Sequence, residues 1–330
     1  MSKLRLSVAM GDYDRTRPLA DGGVPIDGVD PVFLSPTHEE IFFRAFRNEE
    51  FDICELSLSS FVIKVSNGDC PYVGIPAFPS RTFRHTSIYI RTDRGIRSAA
   101  DLAGRRIGVP EYQLTAIVWA RALLDELFGV KPSAVRWVRG GMEQASRAEK
   151  IKINLPPDIR LEDIPENATL NAMFEAGEID ALIAPRPPSC YRNKHPHVGL
   201  LFPDMTGPAT EYYEKTRVFP IMHLIGVRRS LVGAHPWLPA VVLKAFEQAK
   251  TVAVARLEDF AALKVTLPFI EAHLKETRKL MGRDFWAYGI EPNRVTLENF
   301  LLHHHAQGLS QRLVQVSELF HPTTYESAKL

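Results

Sequence analysis

Three short segments hold most of the residues in this chain that can grip an anion or move a proton. Ser80-Arg81-Thr82-Phe83-Arg84-His85 brings two guanidiniums and an imidazole together just ahead of an apolar run, Ser87–Arg91. Phe219-Pro220-Ile221-Met222-His223 sets a second imidazole in alternation with Ile221 and Ile225, so His223 projects from one face of a strand. Phe51-Asp52-Ile53-Cys54-Glu55-Leu56 delivers a carboxylate, Glu55, followed by Ser57 and Ser59. Arginine's planar fork matches a carboxylate bidentately, and each such charge-assisted bond contributes about 1.5–3 kcal/mol net. An imidazole titrating near neutrality gives or takes a proton at a reacting atom, and a carboxylate serves as base. The combination points to proton transfer on a small anion. Each residue also has a plainer role open to it: a solvated basic loop for Arg81 and Arg84, core packing for Phe83, a buried hydrogen-bonded histidine for His85 or His223, a helix cap for Ser57 or Ser59.

The elements that must carry these residues read as alternating strands and helices. Leu4–Ala9 is a strand, followed by a loop rich in Asp, Arg, Gly and Pro through Pro36. Thr37 caps a helix reaching about Arg47, with Glu39 and Glu40 in its first turn. Phe51–Leu56 is a strand, Leu58–Val65 a helix, and Tyr72–Phe78 and Ser87–Arg91 further strands. In Ser98–Pro110, SAADLAGRRIGVP, Ser98 caps a short turn, Gly104 ends it, and Ile107–Val109 opens a buried strand. Ile117, Ala120, Leu123, Leu124 and Leu127 then recur at helical spacing from Thr115 to Phe128, and Gly129 stops the helix. Val135–Val138, Leu170–Ala176 and Asp180–Ala184 continue the pattern; Phe219–Val227 is a returning strand. A long helix from Pro236 to about Leu263 and a mostly helical remainder complete the chain.

Strand ends supply further candidates. Asp12 and Arg15 follow the first strand, where turn chemistry is the alternative. Tyr112, Gln113 and Thr115 stand at a helix N-terminus, whose free N–H groups and dipole suit an anion. Arg186 sits between two prolines that stiffen its loop, which favours it over Arg139 and Arg217 as a preorganised contact. Trp286 either lines a cleft or anchors the C-terminal segment. His303, His304 and His305 are consecutive on a helix and cannot all face one ion. A partial site with Glu298 or His321 is the alternative to a solvated or interface face; no metal site is expected, and the sequence leaves a role for a divalent metal open.

The whole-chain numbers bound these readings. At 330 residues, 45% hydrophobic and 24% charged, the chain is globular and long enough for two α/β lobes. A net charge of +1 gives no global field favouring nucleic acid or an acidic membrane. The scattered Cys54, Cys70 and Cys190 suit buried thiols in a reducing compartment rather than a disulfide framework. No segment is apolar enough to span a bilayer, and the first residues lack a secretory leader, so a cytoplasmic location is expected.

The crossover SAADLAGRRIGVP and GEIDALIAPRPP (Gly177–Pro188) resemble the two-lobed, type II periplasmic binding protein-like fold. That implies an α/β architecture in which each lobe is a mixed sheet flanked by helices. Residues 1–92 and 216–330 form the first lobe, with a helical C-terminal extension on it; residues 93–215 form the second, and a ligand cleft lies between. With FDICELSLSSF (Phe51–Phe61), PAFPSRTFRHTSIYI (Pro76–Ile90), RVFPIMH (Arg217–His223) and MGRDFWAYG (Met281–Gly289), the chain resembles the 4,5-dihydroxyphthalate decarboxylases over essentially its whole length.

The resemblance implies a non-oxidative carboxy-lyase that converts 4,5-dihydroxyphthalate to 3,4-dihydroxybenzoate (protocatechuate) and carbon dioxide. It also implies no organic cofactor and a homo-oligomer with a small aromatic dicarboxylate as its partner. Such a site holds one carboxylate, protonates the ring carbon that bears the other, and sets a base near the para hydroxyl. On that reading Arg81, Arg84 and Arg186, with Ser57, Asp12, Tyr112 and Thr115, bind the substrate. His85 or His223 donates the proton and Glu55 is the base. The rival is a solute-binding receptor for an aromatic carboxylate, built on the same arginines without an acid over the ring.

Overall fold

Residues 3–145 and 151–325 are described by the structure, a computed structural model. Two sheets form its framework. The first takes strands β1 (Leu4–Ala9), β2 (Val29–Leu34), β3 (Ile53–Ser57) and β4 (Tyr72–Arg81). The second takes β5 (Ile88–Arg91), β6 (Arg106–Val109), β7 (Arg136–Arg139), β8 (Arg160–Asp163), β9 (Ala181–Ile183) and β10 (Val198–Leu200). The chain then returns as β11 (Ile221–Arg228), which inserts between β3 and β4. The orders are β2-β1-β3-β11-β4 and β10-β5-β9-β6-β7-β8. β1 runs parallel to β2 and β3, whereas β11 is antiparallel to both its neighbours. In the second sheet β6, β7, β8 and β9 are mutually parallel, and β5 runs antiparallel to both its neighbours, β9 and β10. Each sheet is therefore mixed, as expected.

Two boundaries differ from the sequence reading. β5 already belongs to the second sheet, so the chain crosses between Arg81 and Ile88 rather than at residue 92. Arg84 and His85 thus stand on the crossing itself. The helix expected to run to Leu263 is Leu238–Arg256; beyond it the Asp259 carboxylate accepts the Ala262 N–H at 3.2 Å, a local turn that competes with helix continuation. β2, β8 and β10 were not anticipated. β2 is a sheet edge carrying Pro31, which is tolerated there because the missing donor faces no neighbour.

The helix Thr115–Phe128 ties the lobes together. Its Trp119 ring N–H donates to the Ile221 carbonyl of β11 at 2.8 Å, and the ring packs against Phe300 of the C-terminal helix Arg294–Ala306. Thr115 Oγ1 lies 2.9 Å from Ser57 Oγ at the end of β3 and accepts the Ser59 N–H at 3.0 Å. Asp101 caps back on Ser98 N–H at 2.8 Å, and Gly104 takes a φ of +76°, as the crossover punctuation requires. The three cysteines are free and buried.

The C-terminal extension lies against β4 so closely that a Cβ built on Gly74 would stand 2.4 Å from the Leu319 carbonyl oxygen. Replacing Gly74 with Ala must displace backbone, and is expected to lower the unfolding free energy by about 1–3 kcal/mol in a denaturant titration. An unchanged midpoint would show that the extension yields freely.

Candidate functional site

The carboxyl-terminal ends of β1 and β3, the start of β11, and one helix N-terminus converge on a single carboxylate. Glu55 and Ser57 share one face of β3, and His223 of β11 stands opposite Ser57. His223 and Glu55 are therefore diagonal neighbours on that face. His223 Nδ1 lies 2.5 Å from Glu55 Oε1. The turn after β1 adds two donors: the Gly11 N–H reaches Glu55 Oε2 at 2.8 Å and the Tyr13 hydroxyl reaches Oε1 at 2.7 Å. A Cβ on Gly11 would sit 2.4 Å from His38 Nε2, so only glycine lets the turn approach this closely. Thr37 caps the helix His38–Asn48, making His38 its first residue, and His38 Nε2 lies 2.6 Å from the Tyr13 hydroxyl and 3.7 Å from Glu55 Oε1. Phe42, one turn further, packs edge-on against the His223 ring at 4.8 Å.

Charge and proton positions follow from this geometry. Burial works to raise the pKa of Glu55, but the imidazoles of His223 and His38 and the Gly11 N–H outweigh it and hold the carboxyl below its ordinary value. Burial and the adjacent Glu55 push Tyr13 far up, so its hydroxyl stays protonated. Burial also pushes the His223 imidazole down, against the pull of Glu55, with His38 and Arg84 adding to the push. In this pair Glu55 is held toward its ionised form, while burial holds His223 away from its protonated one.

Arg84 stands beside this cluster. Its Nε lies 3.1 Å from Met222 Sδ and its Nη1 3.5 Å from Ser87 Oγ. Among the described residues it meets no carboxylate, and burial alone lowers its pKa to about 10. Arg15 is clamped between the Tyr13 and Trp286 rings, 4.3 and 4.2 Å from their centroids, while its Nε donates to the Pro79 carbonyl at 2.6 Å.

Of the other expected residues, Ser57 stands opposite His223, and most of the rest lie apart. Glu55, the centre of the cluster, has no exposed side-chain surface of its own. His85 is 2% exposed among Phe83, Phe202 and Tyr212, with both ring nitrogens unpartnered, and these rings are not part of the Glu55 cluster. Arg81 turns the other way, its Nη2 donating to Asn293 and its guanidinium stacking near Phe78 and Phe219. Asp12 pairs with Arg17 at the surface, the turn role that its position left open. Tyr112 is fully buried under Arg121, whose guanidinium carbon lies 3.6 Å from its ring, because the chain after Pro110 turns this apolar ring inward. Ser57 and Thr115 bond to each other across the lobe junction. Arg139 is held by Asp163 at 2.7 and 2.9 Å.

Arg186 lies in the loop after β9 in the second lobe and pairs with Glu39 of the first at 3.2 Å. It borders a cavity of about 650 Å³ with Glu111, Gly140, Gly141 and Glu143. Nothing in the linear pattern singled out His38, Tyr13 or Gly11; their only signal was position after β1 and behind the Thr37 cap. His38, Glu55 and His223 each offer a ligand atom within 4.8 Å of the others, so these three could also hold a divalent cation. In the consecutive histidines, His303 pairs with Glu126 at 3.0 Å, His304 Nε2 lies 3.1 Å from Ser59 Oγ, and His305 bonds the Ser310 carbonyl. They point apart, and His304 is wholly buried rather than solvated.

No profile of a known protein family matches the chain. It is 56% identical over 330 residues, all of both chains, to a 4,5-dihydroxyphthalate decarboxylase of Comamonas testosteroni. It is 59% identical over 213 residues to one of Pseudomonas putida, covering 64% of this chain and 83% of that one. Among solved structures it superposes on the periplasmic aliphatic sulphonate binding protein SsuA of Escherichia coli with a TM-score of 0.54. The identity there is 12%, over 98% of this chain and 99% of that one, a likeness of fold alone.

His85 gives this geometry a test in pH. Burial lowers its pKa from 6.5 to about 4, so between those values the unfolded chain binds a proton that the folded chain refuses. Stability therefore falls as pH drops through this window. Replacing His85 with Phe is expected to flatten that fall, measured by denaturant unfolding at pH 4.5 and 6.5, and to leave turnover within about threefold. A lost turnover would return His85 to the reaction.

Proposed function

Since the chain belongs to the 4,5-dihydroxyphthalate decarboxylase family and is a carboxy-lyase, we propose that it removes one carboxylate from 4,5-dihydroxyphthalate at the Glu55 cluster, without an organic cofactor. One observation carries the choice of site: Arg84, a guanidinium that meets no carboxylate among the described residues, lies close enough to His223 to oppose its protonation. Burying a cation without an anion is costly, and a carboxylate from outside supplies the missing partner. Arg15, clamped beside Tyr13 and paired with Asp14 at 2.9 Å, adds a positive group next to the cluster, and Arg186 borders the cavity of about 650 Å³.

The chemistry consumes one proton per turnover. Withdrawal of the hydroxyl proton para to the leaving carboxylate raises electron density at the carbon bearing it. Protonation of that carbon breaks aromaticity; the carbon–carboxylate bond then cleaves, its electron pair restores the ring, and carbon dioxide departs. The dianionic substrate plus one proton yields 3,4-dihydroxybenzoate, a monoanion. His223, with Nδ1 committed to Glu55, presents Nε2 for proton transfer, and Glu55 fixes its orientation and compensates the charge it gains.

In the same reading the enzyme is a cytoplasmic homo-oligomer working in aromatic catabolism. Free, buried thiols suit a reducing compartment, and no described helix is long and apolar enough to cross a membrane. Phe260, Leu263, Leu267 and Phe269, all exposed between the Leu238–Arg256 and Ile270–Met281 helices, offer an apolar face to a second copy. A receptor without catalysis has the fold alone in its favour.

Purified protein given 4,5-dihydroxyphthalate is expected to release 3,4-dihydroxybenzoate and equimolar carbon dioxide with no added organic cofactor; tight binding without release would favour the receptor. Arg84→Ala is expected to raise KM by about 10- to 100-fold, the loss of one charge-assisted carboxylate contact, with a smaller effect on kcat. An unchanged KM would remove Arg84 from the substrate.

A further inference from the structure

One carboxylate holds two imidazoles in opposite proton arrangements, and this separates their roles. The Tyr13 hydroxyl has a single proton, and it is directed at Glu55 Oε1, 2.7 Å away. His38 Nε2, 2.6 Å from the same hydroxyl oxygen, must therefore be the donor in that contact. That leaves Nδ1 as the nitrogen of His38 not committed to the cluster. In His223 the order is reversed: Nδ1 is spent on Glu55, and Nε2 is the uncommitted nitrogen. The two rings stand 5.4 Å apart between centroids, and their side chains are 33% and 16% exposed respectively. In the substrate, the carbon to be protonated and the hydroxyl oxygen para to it are separated by about 4 Å, a span that two such rings can bracket.

We propose that His38 delivers the proton to the ring carbon from Nδ1, while His223 takes the para hydroxyl proton at Nε2. The assignment deepens the decarboxylase reading above and rests on it. The cycle balances. His223 accepts the hydroxyl proton and becomes an imidazolium against Glu55; the ionised ring takes a proton at carbon from protonated His38; the carbon–carboxylate bond breaks and carbon dioxide leaves. The phenolate then recovers its proton from His223, which returns to its starting form. The single proton consumed came from His38, the more exposed ring, which water can reprotonate directly. Tyr13 is a positioning residue, since it fixes the tautomer of His38 without meeting the ring.

Separate substitutions isolate the two imidazoles. His38→Gln keeps a donor at the Nε2 position and removes Nδ1; His223→Asn keeps a donor at Nδ1 and removes Nε2. By microscopic reversibility, wild-type enzyme in D2O should exchange the hydrogen of 3,4-dihydroxybenzoate at the carbon that lost its carboxylate, followed by proton NMR. The ultraviolet shift of the product on binding reports ionisation of its hydroxyl. His38→Gln is expected to lose turnover and exchange by at least about 100-fold while retaining the shift. His223→Asn is expected to lose all three, and added imidazole to restore turnover to His38→Ala. Turnover by His38→Gln within threefold of wild type would overturn the assignment, as would loss of product binding in both His38 variants. A stoichiometric metal bound through His38, Glu55 and His223 in active enzyme would overturn it as well. Wild-type protein that binds the diacid without releasing carbon dioxide would instead overturn the decarboxylase reading itself, and this assignment with it.

Discussion

A carboxylate with no solvent contact keeps its charge only if donors replace the water it has lost, and Glu55 is surrounded accordingly. Oε2 receives the Gly11 amide; Oε1 receives Tyr13 and His223. The cost of burying an ion is several kcal/mol, so these donors cannot be exchanged singly without leaving an unpaired charge behind. Three segments are thereby held to one point: the turn after β1, the start of β11, and the first turn of the His38 helix. Much of the surrounding architecture serves that convergence. β11 returns from the second lobe to lie beside β3, and Gly11 lacks the carbon that would keep the turn away.

The same carboxylate distributes protons. It draws one imidazole in through Nδ1 and, by way of a phenol, the other through Nε2, so two chemically identical side chains leave the cluster with different nitrogens uncommitted. Arg84 adds a positive group that has no counter-ion among the described residues. In the proposed site an incoming dianion supplies Arg84 with a partner, and this eases protonation of His223, whose charge Arg84 otherwise opposes. On that proposal, binding and proton handling are coupled through one guanidinium.

What could be read from the residues, and what could not, divides along physical lines. Local signals were legible: Thr37 and Ser98 at turn starts, Gly129 and Gly177 in left-handed conformation at helix ends, and the apolar stripe of Thr115–Phe128. Glu55 and His223 were recognised as strand residues with proton-transfer chemistry. Their pairing was not, because 168 residues separate them and only the antiparallel register of β3 with β11 makes them neighbours. His38 escaped notice because it sits between a cap and two acids, where the linear pattern speaks only of a helix start. Tyr112 and Arg81 show the opposite error. Each lies near a strand end on the cleft side, yet side-chain direction after a turn depends on packing that sequence order does not reveal. β2 and β10 went unseen for a similar reason: an edge strand with Pro31 and a three-residue strand contain too little alternation to register.

The Arg186–Glu39 pair has a consequence for traffic. Both partners are largely in water, with side chains 73% and 46% exposed, and such contacts contribute about 0–1 kcal/mol, no more than thermal energy by a small factor. A tie that weak between opposite banks of the entrance breaks and reforms continually. Dissolved ions loosen it further, since they compete for both charges. In the proposed site, the threshold through which a diacid enters and a gas escapes is thus fastened lightly, while the floor beneath it, built on a charge with no access to water, is not.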